Sequence, residues 1–336
     1  MKEILDFILT FSAILWEAMP FIVLGAVVAG ILEEYLPQEA LTKFLPKAVV
    51  PAVMIGALLG LVFPMCECGI VVVMRRLLRK GLPLSCCIAY MLAGPVINGV
   101  VIFSTAVAFV PHGIGAEVVG LRIGLAFIVA VITALVVHGQ WLKHGTNLLT
   151  AVATPPPAKR PPLELPMTVH AAERAGLSPD AIPGRPIPRQ PFLHRLGNIS
   201  ATALHDFVDI TVFLILGAVL AALAKQYITA DQIEQLSTGE PLIAIPAMML
   251  MAVLMSLCSE ADAFVAASFT RMHISAKLAF LVLGPMLDLK LLLMYTRVFR
   301  PRLIVTITTC VTIQVLVYCF AVHLIYRMNG WTGMPG

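Results

Sequence analysis

Apolar residues in this chain come in runs far longer than the alternation of a half-buried strand or the stripe of an amphipathic helix. They fill stretches near 8–32, 48–74, 84–109 and 118–138, and again near 203–224, 242–270, 275–295 and 302–326. A bilayer core about 30 Å thick needs roughly 20 consecutive apolar residues per helix. The pattern therefore predicts an all-α integral membrane protein with about eight transmembrane helices, four on each side of one polar interruption. The first run contains Glu17, is too long for a cleaved leader and lacks a small-residue cleavage site, so it reads as a membrane helix. The interruption carries Pro155-Pro156-Pro157, Pro161-Pro162 and further prolines, which neither span a membrane nor pack a core. Three regions follow: a first membrane repeat at 1–138, a Pro-rich linker at 139–202 with a short helix near 169–175, and a second membrane repeat at 203–336.

The two halves read as copies. Leu24-Gly25-Ala26-Val27 recurs as Leu216-Gly217-Ala218-Val219, an offset of 192 (216 minus 24), and the same offset carries Cys66 onto Cys258 and Glu17 onto Asp209. Further on, Leu84-Ser85, Ala89-Tyr90 and Gly94-Pro95 recur as Ile274-Ser275, Ala279-Phe280 and Gly284-Pro285, now at an offset of 190 (284 minus 94), which sets Asn98 opposite Asp288. Duplicated membrane segments are a common plan for transporters, with the substrate near the midplane between repeats. Four spans per half predict a parallel repeat and rocking of the halves about the site.

Only 12% of the 336 residues are charged and 59% are hydrophobic, against about 25% charged in soluble domains, which excludes a soluble enzyme. The net charge of +4 is too small and too scattered for a nucleic-acid surface, so the partners are the lipid bilayer and a small solute, with homo-oligomerisation left open. Arg75, Arg76, Arg79 and Lys80, with the basic residues of the linker, place both of those loops and both termini in the cytoplasm. Glu33, Glu34 and Glu39 then lie outside, and Arg297, Arg300 and Arg302 fall outside against the rule. All seven cysteines lie in or beside apolar runs, which predicts free thiols rather than a disulfide framework. No phosphate-cradling nucleotide motif and no cofactor signature is present, so an ion gradient is the expected driving force.

Candidate chemistry gathers at helix breakers. In Phe63-Pro64-Met65-Cys66-Glu67-Cys68-Gly69 a proline and a glycine mark a broken helix inside an apolar run, and such breaks are tolerated only against protein or a cavity. The second copy reads Cys258-Ser259-Glu260-Ala261-Asp262, so three sulfurs and some carboxylates are expected to converge. Thiolates suit a trivalent metalloid or a soft metal cation, although CxC spacing alone is also met by cysteines that merely pack. Cys86, Cys87, Cys310 and Cys319 read as packing residues. Gly94-Pro95-Val96-Ile97-Asn98 and Gly284-Pro285-Met286-Leu287-Asp288 form a second matched pair of breaks, readable as pathway elements or as packing kinks. Glu67, Glu260, Glu17 and Asp209 are the candidates for proton coupling, since a charge at membrane depth costs at least about 2.5 kcal/mol. For Glu17 and Asp209 hydration near a helix end is the competing reading. His205, Asp206 and Asn198 read as interfacial, helix-capping residues.

Pro64-Met65-Cys66-Glu67-Cys68-Gly69, a basic turn, and Leu92-Ala93-Gly94-Pro95-Val96-Ile97-Asn98 together resemble the pattern of the predicted-permease family that contains YraQ and the organoarsenical efflux permease ArsP. The resemblance covers nearly the whole chain apart from the linker. It implies a multi-pass permease of the cytoplasmic membrane and, for the ArsP branch, export of trivalent organoarsenicals. It makes Cys66 and Cys68 candidate arsenic ligands, joined by Cys258 and Asp288 from the repeat, and makes Gly94, Pro95 and Asn98 candidate pathway residues. Glu67, standing between the cysteines, departs from the pattern and keeps a soft or divalent metal cation open. A rival of another class is a membrane-embedded thiol oxidoreductase, for which the usual C-x-x-C pair is missing. A scaffold protein that docks a partner through its linker is a further rival.

Overall fold

In the computed structural model, residues 2–35, 46, 48–63, 65–150, 153–154, 192–227, 241–269 and 272–330 are described. The short helix expected near 169–175, Pro64 and Glu39 lie outside them. The described residues are helical throughout, with a single isolated bridge between Leu149 and Phe299. Four helices are long and apolar enough to cross a membrane: α1 (Lys2–Tyr35), α6 (Gly115–His144), α7 (Phe192–Tyr227) and α12 (Pro301–Met328). The other four apolar runs each hold two shorter helices. These are α2 (Val49–Val62) with α3 (Glu67–Arg79), α4 (Leu84–Ala93) with α5 (Gly99–Phe109), α8 (Pro241–Met255) with α9 (Asp262–Ser268), and α10 (Ile274–Leu283) with α11 (Leu289–Val298). Breaks thus stand at the cysteine motifs and at the Gly-Pro motifs.

Burial sorts these helices. α4 and α10 are buried along all their residues and form the centre, as helices apolar on every side should. α1 and α7 instead turn large side chains such as Leu9, Trp16, Leu24, Val208, Val212 and Leu220 outward, a surface that only lipid covers at low cost.

The repeats are inverted. Ile14 of α1 packs on Ala218 and Ala221 of α7, while Gly30 meets Ile199, so these equivalent helices run antiparallel. α6 and α12 do the same: Glu117 pairs with Tyr326, Gln314 donates to Thr133 at 2.9 Å, and Gln140 donates to Thr306 at 2.8 Å. This overturns the parallel repeat expected from four spans per half. The reason lies in the cysteine segments, which turn back instead of crossing. Gly56 of α2 meets Cys86 and Gly60 meets Gly94, so α2 runs alongside α4 in the same direction. α3 runs the other way, beside α11: Glu67 lies at Lys290, and Val71 and Arg75 line one small cavity with Met294, Arg297 and Val298. α11 ends where Thr150 N–H donates to Val298 O at 3.1 Å, on the face where α6 ends and α7 begins, here the linker face. α4–α5 and α10–α11 do continue, for Phe109 at the far end of α5 lies 5.7 Å beneath Lys277 at the start of α10.

Among the described residues the chain therefore runs through six times, three per half, with two hairpins, α2–α3 and α8–α9, dipping in and out. An odd number of passages turns the second half upside down. It also moves Arg297, Arg300 and Arg302 onto the linker face with Arg75, Arg76 and Arg79, removing their conflict with the charge rule. Glu34 joins them there, and the start of α1 and the end of α12 lie on the opposite face from the linker, where the sequence reading had put the termini together with it.

Glycines mark the tightest approaches. A Cβ on Gly25 would stand 2.9 Å from Gly69 Cα, and one on Gly217 would stand 2.6 Å from Lys290 Cα, which explains why Leu-Gly-Ala-Val recurs. Gly69, expected at the break itself, lies within α3 as a packing contact.

Cysteines introduced at Gly145 and Asn329 should label from opposite faces of sealed vesicles; labelling from one face would refute the odd count of passages. Gly60→Ala places a Cβ 2.5 Å from Gly94 Cα and should cost about 1–3 kcal/mol by overpacking. Gly139→Ala, with open space around it, should leave the thermal unfolding midpoint in detergent unchanged or raised.

Candidate functional site

Hydrocarbon offers no hydrogen bonds, so a helix interrupted at membrane depth must satisfy its loose ends internally. At the Gly-Pro breaks both halves do this alike. Gly94 N–H donates to Tyr90 O at 2.8 Å and Ile97 N–H to Ala93 O at 2.7 Å; Gly284 and Leu287 repeat those bonds to Phe280 and Leu283. Asn98 Oδ1 then caps α5 by accepting from Val101 N–H at 2.9 Å, and Asp288 Oδ1 caps α11 from Leu291 N–H at 2.7 Å.

The cysteine hairpins meet tip to tip. Cys66 is the N-cap residue of α3, and Glu67 and Cys68 occupy its first turn, where the positive end of the helix dipole favours an anionic side chain. The facing loop, Ser256 to Ala261, starts with Ser256 at φ +46, a left-handed conformation costing about 1–3 kcal/mol in a residue other than glycine. Ligand atoms of Cys66, Glu67 and Cys258 all lie within 4.8 Å of one another. Cys68 follows two residues after Cys66 in the first turn of α3 and is buried. Cys258 Sγ donates to Glu260 Oε2 at 2.6 Å, and Ser259 Oγ donates to Glu67 Oε2 at 3.4 Å. All seven cysteines are free thiols, and Cys66, Cys68 and Cys258 are buried.

The structure thus gathers Cys66, Cys68, Cys258, Glu67 and Glu260, with Asp288 one ammonium away. It does not gather the rest. Asn98 spends its side chain on its own segment, with Gly94 O at 3.4 Å and Pro95 O at 3.3 Å besides the cap, and Gly94 and Pro95 belong to that turn. By contrast, Glu17 is half-buried on α1 one turn before Phe21, whose carbonyl faces Gly69 of α3, and so lies near the level of Cys66. Asp209 lies toward the linker face between Arg297 at 2.9 Å and Arg75 at 3.2 Å. Asp206 is no interfacial cap: it is fully buried inside α7 and held by Arg75 and by Arg76 at 2.8 Å. The neighbouring His205 stays 72% exposed.

Three partners escaped the sequence reading. Lys290 Nζ lies 2.8 Å from Glu67 Oε1 and 3.5 Å from Asp288 Oδ2, and donates to Ser256 O at 3.0 Å. Arg122, 1% exposed, donates to Asp262 at 2.7 and 2.9 Å, to Thr105 Oγ1 at 2.7 Å and to Ser259 O at 3.3 Å. Ser259 itself joins the two hairpins. The signal available was a basic residue inside an apolar run, since an intramembrane cation must have found an intramembrane acid.

The model of a family described as predicted permease matches residues 3–324. The chain belongs to the predicted-permease family. Relatives of this permease include "UPF0718 protein YcgR" of Bacillus subtilis, 33% identical over 307 residues that cover 91% of this chain and 93% of that one. Another is the Streptococcus mutans protein named "Putative two-component membrane permease complex subunit", 31% identical over 326 residues, 96% of each chain. No solved structure matches. The permease is accordingly a multi-pass membrane protein.

Breaking one buried pair beside the site has a measurable cost. Asp262→Asn leaves Arg122 charged without its counter-ion and should destabilise the permease by about 3–5 kcal/mol, read as a lowered thermal midpoint in detergent. Asp262→Glu, which keeps the charge, should recover most of the loss, and an unchanged midpoint for Asp262→Asn would show that the pair does not hold the hairpin.

Proposed function

We propose that the permease exports a thiophilic solute, a trivalent organoarsenical or related metalloid, held by Cys66, Cys68 and Cys258 where the two hairpin tips meet. The observation that carries this reading is the convergence of two buried thiols from opposite repeats, Cys66 and Cys258, on one point, with the buried Cys68 two residues from Cys66. A dihydroxy arsenical reacting with two such thiols forms two As–S bonds, breaks two As–O bonds and releases two waters, so the exchange is neutral in charge and reverses on release. The hairpin tips come from opposite faces, so the site they enclose can open to one side at a time, as alternating access requires. Glu67 and Glu260 are the proton-coupling groups of this reading, because each stands in contact with the thiol cluster, whereas Asp209 lies toward the linker face between Arg75 and Arg297. In this reading the membrane is the cytoplasmic one and the linker face is its cytoplasmic side, supported by Arg75, Arg76, Arg79, Arg297, Arg300 and Arg302 gathering there.

A second reading, efflux of a soft divalent cation, is favoured by Glu67 completing a two-sulfur, one-oxygen set with Cys66 and Cys258. A cation would displace two thiol protons rather than two waters.

Everted vesicles should accumulate a trivalent methylarsenical, and Cys66→Ser, Cys68→Ser and Cys258→Ser should each reduce uptake to the level of vesicles lacking the protein, while Cys310→Ser retains it. Uptake of zinc or copper(I) in place of the arsenical would move the assignment to the second reading. Transport that survives loss of all three thiols would refute both.

A further inference from the structure

Glu67 presents a problem to a site for a neutral metalloid. A carboxylate between two thiols is a good seat for a soft divalent cation, and such cations outcompete neutral solutes wherever uncompensated negative charge is buried. The answer stands on α11. Lys290, with its side chain 3% exposed, sets its ammonium 2.8 Å from Oε1 of the same Glu67 carboxylate that stands among the thiols. Asp288 Oδ2 at 3.5 Å and Ser256 O at 3.0 Å complete three oxygens around one positive charge. That is the kind of shell a metal cation seeks, already filled by a side chain.

The seat is built rather than incidental. Ser256 takes its left-handed conformation, φ +46, in the residue whose carbonyl the ammonium uses. Gly217 lets α7 close directly onto the Lys290 backbone, where a Cβ would come within 2.6 Å of its Cα. Asp288 is fixed by capping α11. Lysine, glycine, cap and carbonyl all come from the second half, and Glu67 comes from the first.

We propose that Lys290 is the residue that selects against cations: a tethered ammonium that neutralises Glu67 and repels a metal ion from the thiol cluster, leaving the site to uncharged thiophilic solutes. The inference rests on the thiol-site reading. A neutral arsenical bonds to sulfur without disturbing the Glu67–Lys290 pair. A divalent cation bound to Cys66, Glu67 and Cys258 has to displace the ammonium from Glu67 or sit beside it in a buried, low-dielectric place, where like charges repel strongly.

The test uses the full chain purified in detergent and two probes, cadmium(II), followed by its thiolate charge-transfer absorption, and phenylarsine oxide, followed by protection of thiols from a maleimide. Lys290→Met should bind cadmium about tenfold or more tightly than the unaltered permease, with phenylarsine oxide affinity changed by less than about twofold. Lys290→Arg, which keeps the charge, should bind cadmium like the unaltered chain, and Glu67→Gln/Lys290→Met should lose the gain because the carboxylate is gone. Cadmium affinity that is unchanged or weaker in Lys290→Met, with phenylarsine oxide binding intact, overturns the selective role and leaves the thiol site standing. A parallel shift of both probes marks a general rearrangement and also overturns it. Binding of neither probe to any of these proteins overturns the thiol site itself.

Discussion

A backbone amide left bare in hydrocarbon costs several kcal/mol, and this permease interrupts its helices four times at membrane depth. Everything at its centre follows from how those interruptions are satisfied. The Gly-Pro breaks do it with the same short set of turns in both halves, ending on Asn98 in one and Asp288 in the other. At the second cysteine break the freed carbonyls are met from other helices, Ser256 O by Lys290 and Ser259 O by Arg122, and the two hairpin tips touch through side chains, Ser259 Oγ donating to Glu67. α4 and α10, apolar on every side, insulate the place where this happens.

The polar centre sets two cations among four carboxyls, with Asp288 as well as Glu67 beside Lys290. Glu67 answers Lys290, Asp262 answers Arg122, and Glu260 takes the proton end of the Cys258 thiol. The two halves contribute to it unequally. Lys290 has the uncharged Val100 as its repeat counterpart at the offset of 190 (290 minus 100), so the charge it brings to the site is not duplicated. A duplicated scaffold with an unduplicated charge set can treat the two faces of the membrane differently, which a transporter with a direction requires.

Much of this was legible in the amino-acid order. Long apolar runs, the repeat, and breaks at Pro64 to Gly69 and at Gly94-Pro95 are local properties, and local propensity reports them faithfully. Whether a broken run continues or turns back is not local: twenty-seven apolar residues with a break in the middle look the same either way, and only the packing of Gly56 on Cys86 and of Arg75 on Asp206 distinguishes them. The inverted repeat was missed for that reason alone. At the site, Cys66, Cys68 and Cys258 declared themselves by spacing and repeat position. Lys290 and Arg122 did not, because a basic residue near the end of an apolar run reads as an interfacial anchor until its acid is found in another helix.

The arginines at the far end of α3 have a mechanical meaning. α3 belongs by sequence to the first repeat, yet it is fastened to the second at both ends, by Glu67 to Lys290 at its start and by Arg75 and Arg76 to Asp206 and Asp209 near its finish. Parting a buried pair of this kind costs about 3–5 kcal/mol, so the two repeats cannot swing as blocks without tearing several such bonds at once. The seam of least resistance runs elsewhere: α1, α3, α7 and α11 cohere as one slab drawn from both repeats, and the remaining helices form the frame it leans on. Genealogy divides this molecule at the linker, and mechanics divides it across.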